Sequence, residues 1–534
     1  MVSRRAVLSL VVVISFPLAT CSKPAPLPYE VEEVSLAQVS ADLASGKASA
    51  VAVTTAYMAR IKTYDAALNS VILVAPDALE QAAASDKRRK DGKALGPLDG
   101  VPILLKDNID AVGMPTTAGS YALADNMPVQ DSEVAKRLRA AGAVILGKAN
   151  LSQWAGFRTA ASFNGSTVGR GPHNPYDLAR NPGGSSSGSG IAAAASLAAA
   201  TVGSDTSGSI TSPASYNGVV GLRPTVALIS RRGVVPISST NDTTGPMARS
   251  VMDAAILLNV LAGSDPVDAW SVDANAHVAD YVKGLAPDAL RGKKLGVLQG
   301  LKGHSEKTEP LFQAALAVLK AQGAELVEIP AGALEDMSQE QLMTLTYGFK
   351  VDVETYLKTA PSAVKARTLA DLIAFDKSDA REKTHGDELF EASQATTGGR
   401  SNSDYIKNLE SSKRLTGPEG IDRLLAQYGV SALVAPTQPI ALPLTPDGAA
   451  DPRPGGGSPV TSHAKGTAVP SLTIYSSTSG YPMLSVPMGL VEGMPVGLSF
   501  VGTAWSEPML LAYGYAYEQA SHARVAPTAY KAAK

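Results

Sequence analysis

The sequence predicts an α/β fold in which a central sheet is covered by helices on both faces. The first indication is a repeated order of helix, glycine and apolar strand, clearest in Glu133–Lys148, where EVAKRLRAAG is followed by AVILGK. The second is that the strand-like runs Ser70–Ala75 and Val101–Leu105 are apolar almost without interruption. Such strands are typical of a sheet buried on both faces, and their alternation with helices is typical of α/β proteins.

The segment before the strand at Val101–Leu105 is predicted to be largely helical. Leu36–Ala44 and Val51–Tyr64 carry apolar residues at helical spacing, and each follows a serine, Ser35 or Ser49, that can cap the helix. The polar segment PDALEQAAASDKRRKDG predicts a further helix that ends near residue 92.

The rest of the chain is predicted more coarsely. Ile191–Val202 would be apolar all round as a helix, which predicts a buried one. Strands at Ser485–Val486 and Val496–Gly502 are followed by a helix over about 508–520. We predict one domain over residues 27–534, in which 265–417 forms a more variable peripheral lobe.

The N-terminus has the pattern of an export signal followed by a tether, together residues 1–26. Arg4 and Arg5 precede the apolar run Ala6–Phe16, which is shorter than the roughly 20 residues that span a bilayer. SRRAVLS resembles a twin-arginine signal, and LATC resembles a lipoprotein processing box, which would make Cys21 a lipid anchor. We expect an exported bacterial protein, periplasmic or anchored on the periplasmic side of the membrane.

Composition argues against several kinds of partner. The formal net charge of the 534 residues is −2 and no basic stripe is present, so no nucleic acid is expected. The single cysteine excludes an internal disulfide and a thiolate metal cluster, and the absence of HExxH, EF-hand and Cys-His patterns predicts no metal. We expect a monomer without a cofactor that acts on a small molecule or a peptide.

Three segments carry the chemistry-bearing residues. The runs GGSSSGSG at Gly183–Gly190 and SDTSGSI at Ser204–Ile210 can place hydroxyls and free main-chain N–H groups around one point. Upstream, VPILLKDN at Val101–Asn108 places Lys106 at the end of an apolar strand. Together they form a candidate Ser-Ser-Lys site.

Two rival motifs stay open at this point. GxSxG within the glycine-serine run would make Ser186 the nucleophile of an α/β-hydrolase-type esterase, which needs a histidine base, yet none of the 6 histidines lies in a recognisable motif. SHAK, at Ser462–Lys465, has the SxxK spacing of penicillin-binding enzymes but lacks a partner SDN.

The combination of motifs resembles the amidase signature family of serine hydrolases. The resemblance is carried by KDN, GGSSSGSG, GSDTSGSI, PASYNGVVGLRPT, NDTTGPMARS, GYPMLSVPMG and MPVGLSFVG. LIAFD, GPEGID and GTAWSEP are most similar to the family's bacterial peptide amidases. The resemblance covers most of the mature chain and implies a mixed central sheet.

Carried over residue by residue, the family pattern makes Ser209 the nucleophile, Ser185 the proton relay and Lys106 the base. It also implies a cis bond between Gly184 and Ser185. An exposed lysine, with a pKa of about 10.4, is almost wholly protonated at neutral pH, whereas burial lowers that pKa. The apolar run before Lys106 therefore predicts a neutral amine.

The turn from Thr206 to Ser209, inside the second serine motif, is the predicted oxyanion hole, formed by the N–H groups of Thr206, Ser207, Gly208 and Ser209. Ser207 stands where the family often has glycine. Thr211 stands where it often has arginine, which argues against a substrate carboxylate held there.

The resemblance implies hydrolysis of a carboxamide, most readily the C-terminal amide of a peptide or amino-acid amide, with release of ammonia. Alternatives are an aryl-amide, anilide or ester hydrolase of the same family and an exported, inactive binding protein. The glutaminase component of a tRNA-dependent amidotransferase is disfavoured, because export would separate it from tRNA. Asp107 and Asp205 are predicted to orient main-chain groups, and Trp154 and Phe157 are predicted to be core aromatics.

Overall fold

The computed structural model describes residues 29–159, 164–301, 303–383, 385–444 and 469–532. The predicted export signal, the predicted lipid-anchor residue Cys21 and the SHAK motif lie outside these residues. Within them no helix is both long and apolar enough to cross a bilayer.

A single mixed sheet of 11 strands forms the centre of the described chain. In chain order the strands are β1 Val71–Val74, β2 Pro102–Lys106, β3 Val144–Ala149, β4 Ala200–Asp205, β5 Val220–Arg223, β6 Thr243–Ala248, β7 Lys294–Leu298, β8 Glu325–Ile329, β9 Ala432–Pro436, β10 Met483–Val491 and β11 Met494–Val501. Their order across the sheet is β1-β3-β2-β4-β6-β5-β10-β11-β9-β7-β8. The predicted α/β class and mixed sheet are confirmed.

Helices pack around this sheet. The α-helices are α1 Leu36–Ala44, α2 Ala50–Leu68, α3 Ala78–Lys90, α4 Glu133–Ala140, α5 Ser187–Ala194, α6 Thr211–Tyr216, α7 Val251–Leu261, α8 Glu309–Ala321, α9 Ser338–Thr359, α10 Leu369–Ser378, α11 Glu388–Gln394, α12 Ser403–Thr416, α13 Arg423–Tyr428, α14 Leu472–Ser479 and α15 Glu507–Ser521. The predicted caps are present: Ser35 accepts from the Gln38 N–H, and Ser49 accepts from the Ala52 N–H.

The apolar run Ile191–Val202 is not one buried helix, and that prediction is wrong. Helix α5 ends after Ala194, Ser196 adopts a left-handed φ of 56°, and the chain enters β4 at Ala200. Strand β4 lies between β2 and β6 and is buried along its whole length. A short apolar run suits a buried strand as well as a buried helix, so pattern alone could not separate them.

Two neighbouring strands bring the serine and lysine motifs to one edge of the sheet. Strands β2 and β4 are parallel, with Leu105 paired to Val202, so their carboxyl ends lie side by side. Lys106 is the last residue of β2 and Asp205 the last of β4. Ligands of α/β sheets commonly bind at the carboxyl ends of strands.

The middle of the chain contributes to this architecture in two ways. Strands β7 and β8 extend the sheet at one end. Side chains of helices α9, α10 and α11 form a second apolar cluster, which contains Trp154 and Phe157. The rings of Trp154 and Phe390 meet edge to face with centroids 5.7 Å apart. Trp154 and Phe157 are therefore core aromatics, as the sequence predicted.

Candidate active site

Lys106 is a buried amine held by two serines. Its side chain has no exposed surface, and the preceding Leu104 and Leu105 are equally buried. The Nζ atom lies 2.7 Å from Oγ of Ser185 and 2.9 Å from Oγ of Ser204, and it donates to the Ser204 carbonyl at 3.3 Å. The structure thus brings the predicted base and the predicted relay into direct contact.

Burial also sets the charge of this amine. Desolvation lowers the pKa of Lys106 from 10.5 to about 7, and the negative charges of Asp205 and Asp242 limit the shift. A large fraction of the amine is therefore neutral at neutral pH. A neutral amine has a free lone pair and can accept a proton from a hydroxyl.

Ser185 is fixed by the main chain on both sides. The Gly184–Ser185 peptide bond is cis, as the family resemblance implied. A Cβ atom on Gly184 would lie 2.5 Å from both Asn164 Oδ1 and Ser152 Oγ, so a larger residue there would require these two side chains to move. The Ser185 carbonyl accepts from the Ser152 N–H at 2.9 Å. The Ser185 main chain is therefore joined to the segment that contains Ser152.

Asp205 shapes the turn that follows β4. Its carboxylate accepts from the N–H groups of Gly208 at 2.8 Å and Ile210 at 2.7 Å, and it pairs with the buried Arg223 guanidinium at 2.6 Å. Gly208 has a φ of 95°, in the region that favours glycine. Asp205 therefore orients main-chain groups, as the sequence predicted.

This carboxylate changes the predicted oxyanion hole. The Gly208 N–H donates to Asp205 in this structure, so of the four predicted donors it is the one that already has a partner. Among the described residues, no hydrogen bond uses the N–H groups of Thr206, Ser207 or Ser209. These three remain as donors for a developing negative charge.

Ser209 is more accessible than the serine that contacts the lysine. It is partly exposed, whereas Ser185 is buried. The Ser209 carbonyl accepts from the Ser186 N–H at 3.1 Å, which joins the two serine segments. Within the described part of the chain, no hydrogen bond ties down the Ser209 hydroxyl. A substrate can therefore reach Ser209, whereas Ser185, Ser186 and Ser204 are buried.

Ser186, the serine of the rival GxSxG motif, has a different environment. It is fully buried, and its hydroxyl donates to the Ser204 carbonyl at 2.9 Å and accepts from the Ser204 N–H at 3.2 Å. His173 and His304 contact main-chain carbonyl groups, and His277 stacks on a tryptophan ring. The hydroxyl of Ser186 therefore stabilises the serine turn and has no access to substrate.

Sequence reasoning did not find two residues that support the lysine. Ser204 contacts Nζ with both its hydroxyl and its carbonyl oxygen, and the Asn108 amide donates to the Ser204 hydroxyl at 2.9 Å. Both lie inside the lysine and serine motifs, so their position next to the catalytic candidates could have indicated a supporting role. Asp107 forms a buried ion pair with Lys148 at 3.0 Å and accepts from the Thr117 N–H, which is an orienting role.

No group of three histidine, cysteine, aspartate or glutamate side chains in the described segments is placed to hold a metal ion. The groups assembled at the site are the Lys106 amine, the main-chain donors of the turn and the hydroxyls of Ser185, Ser204, Ser207 and Ser209.

Comparison with known proteins places this chain in a family. The family model described as Amidase matches residues 52–511. The crystal structure of peptide amidase from Stenotrophomonas maltophilia is 42% identical and covers 94% of this chain and 99% of its own, with a TM-score of 0.85. A probable amidase from Arabidopsis thaliana is 36% identical, over 88% of this chain and 86% of its own length. A glutamyl-tRNA(Gln) amidotransferase subunit from Synechococcus is 35% identical, over 90% of each.

The fold and these matches define an amide-hydrolysing enzyme. The chain belongs to the amidase family, the amidase signature enzymes, and the resemblance predicted from its motifs is confirmed.

Proposed function

We propose that the enzyme hydrolyses the C-terminal carboxamide of peptides or amino-acid amides and releases ammonia. Ser209 is the nucleophile, Ser185 the relay and Lys106 the base. The observation that carries this proposal is the 2.7 Å contact between Lys106 Nζ and Ser185 Oγ, at an amine whose pKa burial lowers to about 7.

The first half of the reaction forms an acyl-enzyme. Ser209 Oγ attacks the carbonyl carbon while its proton passes to the Ser185 oxygen, and the Ser185 proton passes to Lys106 Nζ. The carbonyl oxygen becomes negative and is stabilised by the N–H groups of Thr206, Ser207 and Ser209. The same relay then runs in reverse and protonates the amide nitrogen. The C–N bond breaks, and ammonia leaves.

The second half regenerates the enzyme. A water molecule attacks the ester carbon, and its proton passes through Ser185 to Lys106. The tetrahedral intermediate collapses, the C–O bond to Ser209 breaks, and the proton returns to Ser209 Oγ. The product is a free carboxylic acid.

The choice of substrate rests on similarity. The solved relative named peptide amidase is matched over nearly all of its length at 42% identity, which favours a peptide amide. Relatives named as subunits of glutamyl-tRNA(Gln) amidotransferase make glutamine the rival ammonia donor. Aryl amides, anilides and esters are further alternatives within the same chemistry.

Product analysis separates these substrates. Purified enzyme is incubated with peptide amides, free glutamine and peptide anilides, and the release of ammonia and aniline is measured. We expect ammonia from peptide amides at the highest kcat/KM. Faster turnover of glutamine or of anilides would overturn the proposed substrate but not the reaction class.

Two matched serine variants test the assignment of the nucleophile. We expect Ser209→Ala to lose turnover completely and Ser186→Ala to retain activity that is readily measured, because only Ser209 is open to substrate. Thermal melting of both variants checks folding. Loss of activity in Ser186→Ala with activity kept in Ser209→Ala would contradict the proposal and support the rival motif.

We also propose that the enzyme is a monomer and that it is exported. Arg4 and Arg5 would belong to the export signal, and Cys21 would carry a lipid anchor. Cell fractionation and the mass of the mature N-terminus test this. An unprocessed cytoplasmic chain would overturn it.

A further inference from the structure

A glutamine from the middle of the chain reaches the proposed oxyanion hole. Gln341 lies near the start of helix α9 and is only 2% exposed. Its Oε1 atom accepts from the Ser207 hydroxyl at 2.5 Å. Its Nε2 atom donates to the hydroxyls of Ser477 and Thr478 at 2.7 and 2.8 Å. The amide therefore uses its acceptor and both donors to join the turn to helix α14.

The anchor at the far end of this amide is itself fixed. The Ser477 carbonyl accepts from the Asn241 side chain at 3.0 Å and from Arg223 at 3.4 Å. Arg223 also holds Asp205, which binds two N–H groups of the same turn. Asp205 thus binds the main chain of the turn, and Gln341 binds its Ser207 side chain.

We propose that Gln341 is a positioning residue for amide hydrolysis. By holding the Ser207 hydroxyl, it fixes the orientation of the Ser207 peptide, so that its N–H stays aimed at the reacting carbonyl oxygen. This inference rests on the proposed function, since it presupposes an oxyanion in this turn.

The geometry of the turn explains why the contact between Gln341 and the Ser207 hydroxyl matters. Ser207 is followed by Gly208, a residue with unusual conformational freedom, and no other side chain of the described residues binds the Ser207 hydroxyl. An oxyanion donor is effective only within about 2.7–3.1 Å of the oxygen it stabilises. The family often has glycine at residue 207. The serine in this chain supplies the hydroxyl that Gln341 binds.

A double-mutant cycle tests the coupling. Gln341→Leu, Ser207→Ala and the double variant are compared for kcat and KM on a peptide amide. We expect each single variant to lower kcat by about tenfold, a fraction of the ~10²–10³ lost with a whole donor, and to leave KM within about twofold. The double variant should be no worse than either single one, because both changes break the same bond. Gln341→Glu keeps an acceptor for Ser207 and should recover part of the activity.

Inhibitor binding gives a readout that does not depend on turnover. Ser209 Oγ adds to the carbon of a peptide aldehyde and its proton passes through Ser185 to Lys106, so the aldehyde oxygen becomes an oxyanion in the hole. The corresponding peptide alcohol forms no such bond. Gln341→Leu should lower the affinity of the enzyme for the aldehyde by about tenfold and leave its affinity for the alcohol unchanged. Gln81→Leu is a matched control, because Gln81 binds the Ile145 N–H away from the site and its loss should leave kcat unchanged.

Each other outcome has a distinct meaning. A raised KM with unchanged kcat would show that Gln341 contacts substrate, and additive losses in the double variant would show that it acts apart from Ser207. Either result overturns this inference. Wild-type kcat in Gln341→Leu, with Ser209→Ala inactive, also overturns it and leaves the proposed function intact. Full activity in Ser209→Ala would instead overturn the proposed function.

Discussion

Amide hydrolysis by this enzyme should rise with pH between 5 and 7 and level off above about pH 8, because Lys106 must lose its proton to act as a base. An ordinary lysine with a pKa of about 10.4 is neutral in only about one molecule in 2500 at pH 7. Burial lowers the pKa of Lys106 to about 7, so about half of the molecules are neutral at that pH. The structure thus increases the available base roughly a thousandfold.

The assay is kcat/KM for a peptide amide from pH 5 to 10, at constant ionic strength. The neutral fraction falls to about one in 11 at pH 6 and one in 100 at pH 5, so the rate should fall almost tenfold per pH unit in that range. A midpoint near pH 10 would refute the argument, as would a profile that does not change with pH.

A neighbouring carboxylate offers a matched control for this profile. The charge of Asp242 raises the pKa of Lys106, against the larger effect of burial. Asp242→Asn should therefore move the midpoint to lower pH, whatever it does to the maximal rate. A midpoint that moves to higher pH would show that another group controls the profile.

Three further predictions concern the relay, the turn and stability. Ser185→Ala should lower kcat by about 10²–10⁴, since proton transfer loses its path, and steady-state kinetics will show whether it does. Gly208→Ala should lower both the melting temperature and kcat, because its Cβ would lie within 2.1 Å of Thr473 Cγ2 at a φ of 95°. Burial raises the pKa of Asp376 to about 8 despite the Arg158 guanidinium 3.2 Å away. Between about pH 4 and 8 the folded chain therefore keeps a proton on Asp376 that the unfolded chain has lost, so the free energy of unfolding should fall as pH rises through this range. Denaturant titration of Asp376→Asn should show a smaller fall, because the variant lacks the titrating carboxyl group.

Sequence predicted those parts of the molecule that local patterns control. Ser35 and Ser49 could be predicted as helix caps because a serine just before a helical apolar pattern can accept a hydrogen bond from a free N–H group of the first turn. Lys106 was identifiable because it ends an apolar strand and occurs in the same chain as two serine-glycine motifs, whereas a lysine at a strand end alone can reach solvent.

The errors arose where tertiary context decides. The run Ile191–Val202 is apolar enough for either element, and pairing with β2 and β6 makes its last three residues, 200–202, the start of a strand. The Gly208 N–H donates to the Asp205 carboxylate three residues earlier, a local contact that agrees with the orienting role predicted for Asp205. Gln341 carries no local signal at all, since the hydroxyl it binds lies more than a hundred residues away along the chain.

The most direct test of the account is the pKa of Lys106 itself. Carbon-13 labelled lysine is followed by NMR through a pH titration of the resting enzyme, and the Lys106 signal is assigned by its loss in Lys106→Met. The assignment is needed because burial also lowers the pKa of Lys413, to about 8. We predict a Lys106 midpoint close to pH 7. A midpoint near the ordinary lysine value of about 10.4 would contradict a neutral amine as the base.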